Sequence, residues 1–159
     1  MAKAGYIVRT SSAVALSAAT AKTCLMVITP SSFGGDLKKF RIGFDGVTSS
    51  AVPVFWELVS STNATNSTPG TGNTSESGNI QQVYGRSITT GFTAFSASTS
   101  EPTVLTTLDA NLLTPTGGLL VYDFPLGDTF DWNVSAGLGI RLTAPAAVNA
   151  RCSMIFERC

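Results

Sequence analysis

Residues 38–46, Lys-Lys-Phe-Arg-Ile-Gly-Phe-Asp-Gly, are the stretch that best indicates the fold. Phe40, Ile42 and Phe44 occupy alternate positions, with polar or small residues between them. Successive side chains of a strand point to opposite faces, so this period of two predicts a strand with one buried face and one solvated face. The Asp-Gly pair at the end is typical of a turn. We therefore interpret the stretch as a half-buried β-strand that ends in a turn.

The same period recurs along the chain. Alternating segments lie at residues 54–58, 140–143 and 151–157, and segments that are apolar on both faces, as in a central strand, lie at 23–29 and 119–124. Gly, Pro, Asn and Ser separate these segments at short intervals, which indicates an all-β sandwich or barrel. The residues expected to lie between two sheets are Phe44, Trp56, Leu142 and Phe156.

The N-terminal region lacks such a long pattern. Residues 1–21 are rich in small residues and carry one short apolar patch, formed by Tyr6, Ile7 and Val8. We interpret residues 1–21 as an N-terminal arm and residues 22–159 as one domain. The patch is then an edge strand or part of an extension that reaches a neighbouring subunit. Removing an arm of this kind is expected to leave a folded domain.

Residues 60–79 form a second segment without apolar periodicity, composed mainly of Ser, Thr, Asn and Gly. Loops of this length are unusual inside a compact domain and are either mobile or functional. The sequence does not indicate which of these applies.

The composition excludes several classes of partner. The chain has 159 residues, of which 43% are hydrophobic, so one domain with an ordinary core is expected. Only 13% are charged, and Lys+Arg 10 balances Asp+Glu 10. A neutral chain offers no basic face for nucleic acid and no polybasic membrane anchor. Its apolar runs also fall far short of the roughly 20 residues of a membrane helix. We therefore expect no nucleic acid and no membrane as partners.

The absence of histidine argues against catalysis, because it removes the commonest general base and metal ligand. A serine nucleophile would have only a lysine as its base, and no Ser-x-x-Lys motif is present. Glu57 and Glu157 are candidates for a glycosidase-type carboxylate pair. Each lies on the polar face of an alternating strand, so we interpret both as solvated. We predict no catalytic residue, no cofactor and no enzyme.

The sequence does not strongly indicate a metal site or a disulfide. Three acidic residues lie close in sequence, but their spacing does not match a calcium loop and suits turns better: Asp123, Asp128 and Asp131. The three cysteines are Cys24, Cys152 and Cys159. They contain no Cys-x-x-Cys pair, so we predict no metal and interpret them as two buried small residues and a terminal thiol. The alternative is a Cys24–Cys152 disulfide between neighbouring strands.

Exposed aromatic residues decide whether a sugar platform is present. Trp56 and Tyr122 lie on inward faces and are expected in the core, whereas Trp132, between Asp131 and Asn133, is the best exposed candidate. A receptor- or carbohydrate-binding sandwich therefore remains an alternative.

Two parts of the chain resemble small β-sandwich virion proteins of tailed bacteriophages. Residues 38–59 share the strand that ends in Phe-Asp-Gly and the Pro-started strand, and residues 119–157 share a Tyr-x-x-Pro-Leu-Gly turn and a Leu-Thr-Ala-Pro corner. The resemblance is to capsid decoration or cement proteins. It implies a jelly-roll-like antiparallel β-sandwich on the outer capsid surface of the virion, with the major capsid protein as partner. The alternative is a binding module of a phage tail or fibre.

The low charge of the chain bears on its oligomeric state. A sandwich with few charges has to bind through shape and apolar contact, and a single copy has a small footprint. A symmetric oligomer presents several copies to equivalent sites and gains avidity. A trimer suits the local three-fold positions of an icosahedral lattice, so we predict a homotrimer. Tyr6, Ile7 and Val8 are then the candidate contacts to a subunit or to the capsid.

Overall fold

The computed structural model describes residues 4–45, 52–61, 73–102, 104–116, 118–125 and 127–159. Within these residues the regular structure is β-strand, apart from a short 3-10 helix at Ser77–Asn79. The strands in chain order are β1 Gly5–Arg9, β2 Val14–Leu16, β3 Ala21–Ile28, β4 Gly35–Asp45, β5 Val54–Ser61, β6 Thr74–Ser75, β7 Gln81–Tyr84, β8 Thr93–Ser96, β9 Thr106–Leu113, β10 Leu119–Asp123, β11 Phe130–Trp132, β12 Gly137–Thr143 and β13 Val148–Arg158.

The strands form two sheets whose paired strands are antiparallel. Sheet I has seven strands in the order β10-β4-β13-β1-β7, with β11 also pairing with β4 and β2 with β13. Sheet II has six strands in the order β6-β8-β3-β12-β5-β9. Buried side chains from both sheets form one apolar cluster. The prediction of an all-β antiparallel sandwich is confirmed.

Successive long strands are divided between the two sheets. Sheet I contains β1, β4, β10 and β13, whereas sheet II contains β3, β5, β9 and β12. Considered alone, these eight strands follow the orders β10-β4-β13-β1 and β3-β12-β5-β9. Strands that are neighbours in a sheet are therefore distant in sequence, and β13 lies between β4 and β1.

The core follows the alternation of the sequence. Trp56, Leu142 and Phe156 are buried between the sheets as expected, whereas Phe44 is half-buried against the edge of the core. Phe40 contacts Trp56 with a ring-centroid distance of 5.4 Å. Burying a large apolar side chain contributes about 1.5–3 kcal/mol, so this cluster is the main source of stability.

The N-terminal segment lies within sheet I, which corrects the expected division between an arm at 1–21 and a domain at 22–159. Strand β1 lies between β13 and β7, with Gly5 opposite Glu157 and Arg9 opposite Ser153. Tyr6 and Val8 are 1% and 0% exposed. The physical reason is a five-residue alternation in which these two side chains face the core.

Of the two segments predicted to be central strands, one is central in the structure and one is at an edge. Residues 23–29 fall largely in β3, which is a central strand as expected. Residues 119–124 were expected to be central as well, but β10 is an edge strand in which four of the five residues are exposed. Gly46, of the predicted turn, and residues 62–72, of the predicted loop, lie outside the described residues.

Candidate functional site

The residues predicted to contact a subunit or capsid do not share one surface. Tyr6 packs against Phe156 with ring centroids 6.0 Å apart, and its hydroxyl donates a hydrogen bond of 3.0 Å to the Ile88 carbonyl. Val8 is also in the core, whereas Ile7 is half-buried and points away from it. Tyr6 and Val8 therefore stabilise the folded domain and cannot contact a partner, and only Ile7 is partly accessible.

The two glutamates considered as a carboxylate pair belong to different sheets. Arg141 donates two hydrogen bonds to Glu57, of 2.8 and 2.9 Å, and the Thr107 hydroxyl donates a third of 2.8 Å. The hydrogen bonds from Arg141 hold the pKa of Glu57 below its ordinary value. Glu57 is therefore a buried, ion-paired group, and its interpretation as a solvated residue is wrong.

Glu157 belongs to a polar cluster that joins three strands of sheet I. The Tyr84 hydroxyl donates a 2.7 Å hydrogen bond to Glu157, and the Lys38 ammonium lies 3.4 Å from the same carboxylate and also pairs with Asp36. Burial raises the pKa of Asp36, but hydrogen bonds from Lys38 and Thr129 outweigh burial and lower it overall. Burial and the Glu157 carboxylate both raise the pKa of Tyr84. The cluster links β4, β7 and β13 through hydrogen bonds and ion pairs.

A further carboxylate ties the two sheets together. Glu76 is buried and accepts hydrogen bonds from the Ser11 backbone at 2.9 Å, the Ser96 hydroxyl at 2.6 Å and the Asn79 amide at 2.6 Å. Burial raises its pKa, but these hydrogen bonds outweigh burial and lower it overall. Ser11 follows β1 and Ser96 ends β8, so Glu76 fixes one end of the sandwich.

The acidic residues considered for a metal are separated. Asp131 is opposite Asp36 on β4, and Asp123 pairs with Lys39 further along the same strand. Among the described residues, no group of three or more His, Cys, Asp or Glu is placed to hold a metal ion.

Two of the aromatic residues are placed differently from the expectation, whereas Trp56 is buried as expected. Trp132 is only 5% exposed and contacts Phe156, because Gly35 on the adjacent strand leaves room for its ring. Tyr122 stacks on Phe40 at 5.2 Å but is exposed on its other side, since β10 is an edge strand. The predictions of an exposed Trp132 and a buried Tyr122 are both wrong.

The cysteines are free thiols. Cys24 and Cys152 are buried on β3 and β13, which belong to different sheets, and Cys159 is exposed. A hydrogen bond with the Cys152 thiol, together with burial, raises the pKa of Cys24. The two thiols therefore meet across the core, whereas the disulfide alternative placed them on neighbouring strands.

Exposed apolar residues gather at one end of the sandwich, where β9 and β12 end and β5, β10 and β13 begin. We define the apolar end as Val52, Phe55, Leu112, Pro115, Pro145, Ala146 and Ala147. Val52 and Leu112 are 53% and 61% exposed, and Leu112 is opposite Phe55 on the neighbouring strand. Exposed apolar side chains that gather in one place typically mark a contact with another molecule.

A groove of about 550 Å³ opens on the outer face of sheet I. We define the arginine groove by seven of the residues that line it: Arg9, Arg41, Arg151, Ser11, Ser153, Gly43 and Leu119. Arg9 and Arg41 are both opposite Ser153, from β1 on one side and β4 on the other. Arg151 is opposite Gly43, which is in turn opposite Leu119. The strand register thus brings together three arginines that are distant in sequence, so no local sequence pattern indicates them.

Among the described residues, no helix is long and apolar enough to cross a membrane. Comparison with known proteins found no matching family model, no matching curated protein and no matching solved structure. The two surfaces are therefore interpreted from their own geometry and chemistry.

Proposed function

We propose that this chain is a structural virion protein that binds the outer capsid surface of a tailed bacteriophage and stabilises the shell without catalysis. The observation that carries the proposal is the apolar end, a contact surface on a rigid sandwich. The major capsid protein is its proposed partner. A protein with so few charges has to attach mainly through such apolar and shape contacts.

The order of the strands supports a jelly-roll-like fold for this role. The eight strands of five or more residues follow the orders β10-β4-β13-β1 in sheet I and β3-β12-β5-β9 in sheet II, and the chain changes sheet between successive ones except from β5 to β9. Jelly rolls are double-sheet sandwiches of eight strands built from two Greek keys, and they are frequent in viral capsid domains. The interleaved order agrees with the fold class that the resemblance implies.

A homotrimer remains the proposed oligomer. The apolar end presents a small surface for one copy, and three linked copies would bind three equivalent lattice sites with much greater avidity. The edge strands β7, β9 and β10 also offer open backbone groups that neighbouring copies can cover.

The proposal is tested by comparing particles with and without this protein. We expect particles that lack it to assemble but to rupture at a lower temperature. Because the contact is mainly apolar, moderate salt should leave the protein bound, whereas heat or denaturant should release it. Equal rupture temperatures, together with release at a few hundred millimolar salt, would contradict the proposal.

Variants of the apolar end make the test specific. Val52→Asp combined with Leu112→Asp should abolish particle binding, since both side chains are more than half exposed and each change places a charge on the contact. The matched control is Val83→Asp, because Val83 is exposed on β7 near the opposite end of sheet I. Equal binding by the double variant and the control would exclude the apolar end as the contact.

The receptor- or carbohydrate-binding alternative loses its best residue, since Trp132 is buried. Copy number separates the two roles: a decoration protein is present in hundreds of copies per particle, whereas a tail or fibre module is present in a handful. Quantitative gel analysis of purified particles measures this number.

A further inference from the structure

We infer that the arginine groove binds an extended acidic peptide segment of a partner protein. This goes beyond the proposed function, because the groove is a polar site on the face of sheet I, separate in chemistry from the apolar end. It is tested with the isolated protein, so its failure leaves particle binding by the apolar end unaffected.

Most of the positive charge in the groove is not paired with a carboxylate of the described residues. Arg9 and Arg41 form no ion pair with any described residue. Arg151 lies 3.9 Å from Asp45, and both side chains are more than half exposed, so this pair is weak. The groove therefore carries excess positive charge in a chain whose formal net charge is +0. Such a concentration favours an anionic occupant.

Arg141 shows how an arginine in this protein is otherwise satisfied. Its guanidinium forms two hydrogen bonds with Glu57 on the adjacent strand, at 2.8 and 2.9 Å. The planar guanidinium matches a carboxylate in this two-point geometry better than an ammonium does. Arg9, Arg41 and Arg151 carry the same guanidinium group, but none of them forms such a two-point pair with a carboxylate among the described residues. Carboxylates are therefore the groups that the groove is best suited to bind.

The spacing of the arginines suits an extended chain. Arg9 and Arg41 are on strands separated by β13, which places their backbones about 10 Å apart. Alternate residues of an extended peptide point the same way and are about 7 Å apart, a difference that long arginine side chains can bridge. Ser153 lies between Arg9 and Arg41, and Gly43 lies between Arg151 and Leu119. The small size of both residues lets a peptide approach the sheet.

The remaining lining distinguishes a peptide from other anions. Leu119 is 64% exposed at the rim, so it can contact an apolar residue next to an acidic one. No aromatic side chain lines the groove within the described residues, which disfavours an acidic sugar. Three arginines do not make the extended basic track that nucleic acid requires. Alternating acidic and apolar residues satisfy both parts of the lining.

Binding is measured by fluorescence anisotropy with a capped, labelled octapeptide of alternating Glu and Val, against the same peptide with Lys in place of Glu. We expect the protein to bind the Glu peptide and not the Lys peptide, with affinity falling as salt rises. Arg41→Gln should weaken binding about tenfold, as the loss of one charge-assisted contact implies. Arg86→Gln is the matched control, since Arg86 is exposed but outside the groove.

A second variant adds a carboxylate instead of removing an arginine. A Cβ atom at Gly43 would meet only Leu119, at 3.5 Å, so Gly43→Glu fits and places a competing carboxylate in the groove. We expect it to abolish peptide binding while the thermal unfolding curve stays cooperative. Equal binding of the Glu and Lys peptides, or equal weakening by Arg86→Gln and Arg41→Gln, would overturn the inference. Competition by millimolar sulfate or phosphate as strong as that by unlabelled peptide would also overturn it, in favour of a small-oxyanion site.

Discussion

The outer faces of the two sheets differ in whether their outward side chains are buried or exposed. On sheet II, Glu57 and Val59 are on the outward side of β5 and yet are buried, and Arg141 is paired with Glu57. On sheet I, Arg9 and Arg151 occupy equivalent outward positions and are exposed. The outward face of sheet II around Glu57 is thus covered by the chain itself, whereas the part of sheet I around Arg9 and Arg151 is open to a partner. The ion-paired cluster of Glu157, Lys38 and Asp36, in which both carboxylates are buried, lies further along sheet I.

The covering of sheet II comes from a segment between β8 and β9. Glu101 in this segment accepts hydrogen bonds of 2.6 Å from both the backbone and the hydroxyl of Thr23 on β3. The same alternating pattern in the sequence therefore gives buried outward side chains where a distant segment covers the strands and exposed ones where the strands are left uncovered. A polar residue at an outward position contributes to stability in the first case and to recognition in the second.

The largest expected effect on stability concerns the two sides of β1, of which only the outward side should tolerate a charged side chain. Val8→Asp places a charge in the core and should prevent cooperative folding, because an unpaired buried charge costs several kcal/mol. Ile7→Asp, one residue earlier on the outward side, should cost about 1 kcal/mol or less. Thermal denaturation followed by circular dichroism measures both. Similar stability of the two variants would show that β1 is an arm after all.

The next effect concerns the closed face of sheet II. Glu57→Gln should lower the free energy of unfolding by about 2–4 kcal/mol, because it leaves the Arg141 guanidinium without its charged partner. Asp123→Asn removes an exposed ion pair from sheet I and should change it by about 0.5 kcal/mol or less. Urea titrations compare the two, and equal losses would remove the distinction between the faces.

Lowering the pH should reduce the free energy of unfolding through three buried carboxylates. The folded-state pKa values of Glu57, Glu76 and Asp36 are lowered, so their contribution to stability is present above the unfolded value of about 4 and is lost as pH falls through the folded values. We expect unfolding free energy to fall below about pH 4. Glu57→Gln should show a shallower decline than the wild-type chain. Parallel declines would indicate that this pair does not contribute.

The smallest expected effect is on the open face. Arg41→Gln should change the free energy of unfolding by about 0.5 kcal/mol or less, since the side chain has no ion-pair partner among the described residues. Urea titration at neutral pH measures this directly. A loss comparable to that of Glu57→Gln would mean that Arg41 has a structural role, and the contrast between the faces would fail.

Much of the fold was predictable because alternation is a local property. The period of two correctly assigned Phe40, Ile42 and Trp56 to the core and indicated a sandwich or barrel. It gave no reliable result for short strands: β11 has three residues, and the polar neighbours of Trp132 made that residue look exposed. The short run at β1 was interpreted as an arm for the same reason.

The surfaces were much less predictable, since they depend on long-range register. Arg9, Arg41 and Arg151 meet only because β13 lies between β1 and β4. The burial of Glu57 depends on Arg141 from another strand of sheet II. No local pattern contains such information.

The central position of β13 has a consequence for biosynthesis. Sheet I has a gap between β1 and β4 until residues 148–158 have left the ribosome, so its strands cannot close around their core before that point. Native contacts with such large sequence separation carry a high entropic cost of loop closure, and domains of this kind fold in milliseconds to seconds. Unpaired strand edges make an incomplete chain prone to aggregation, so chaperones that cover such edges would act on this chain before β13 is in place.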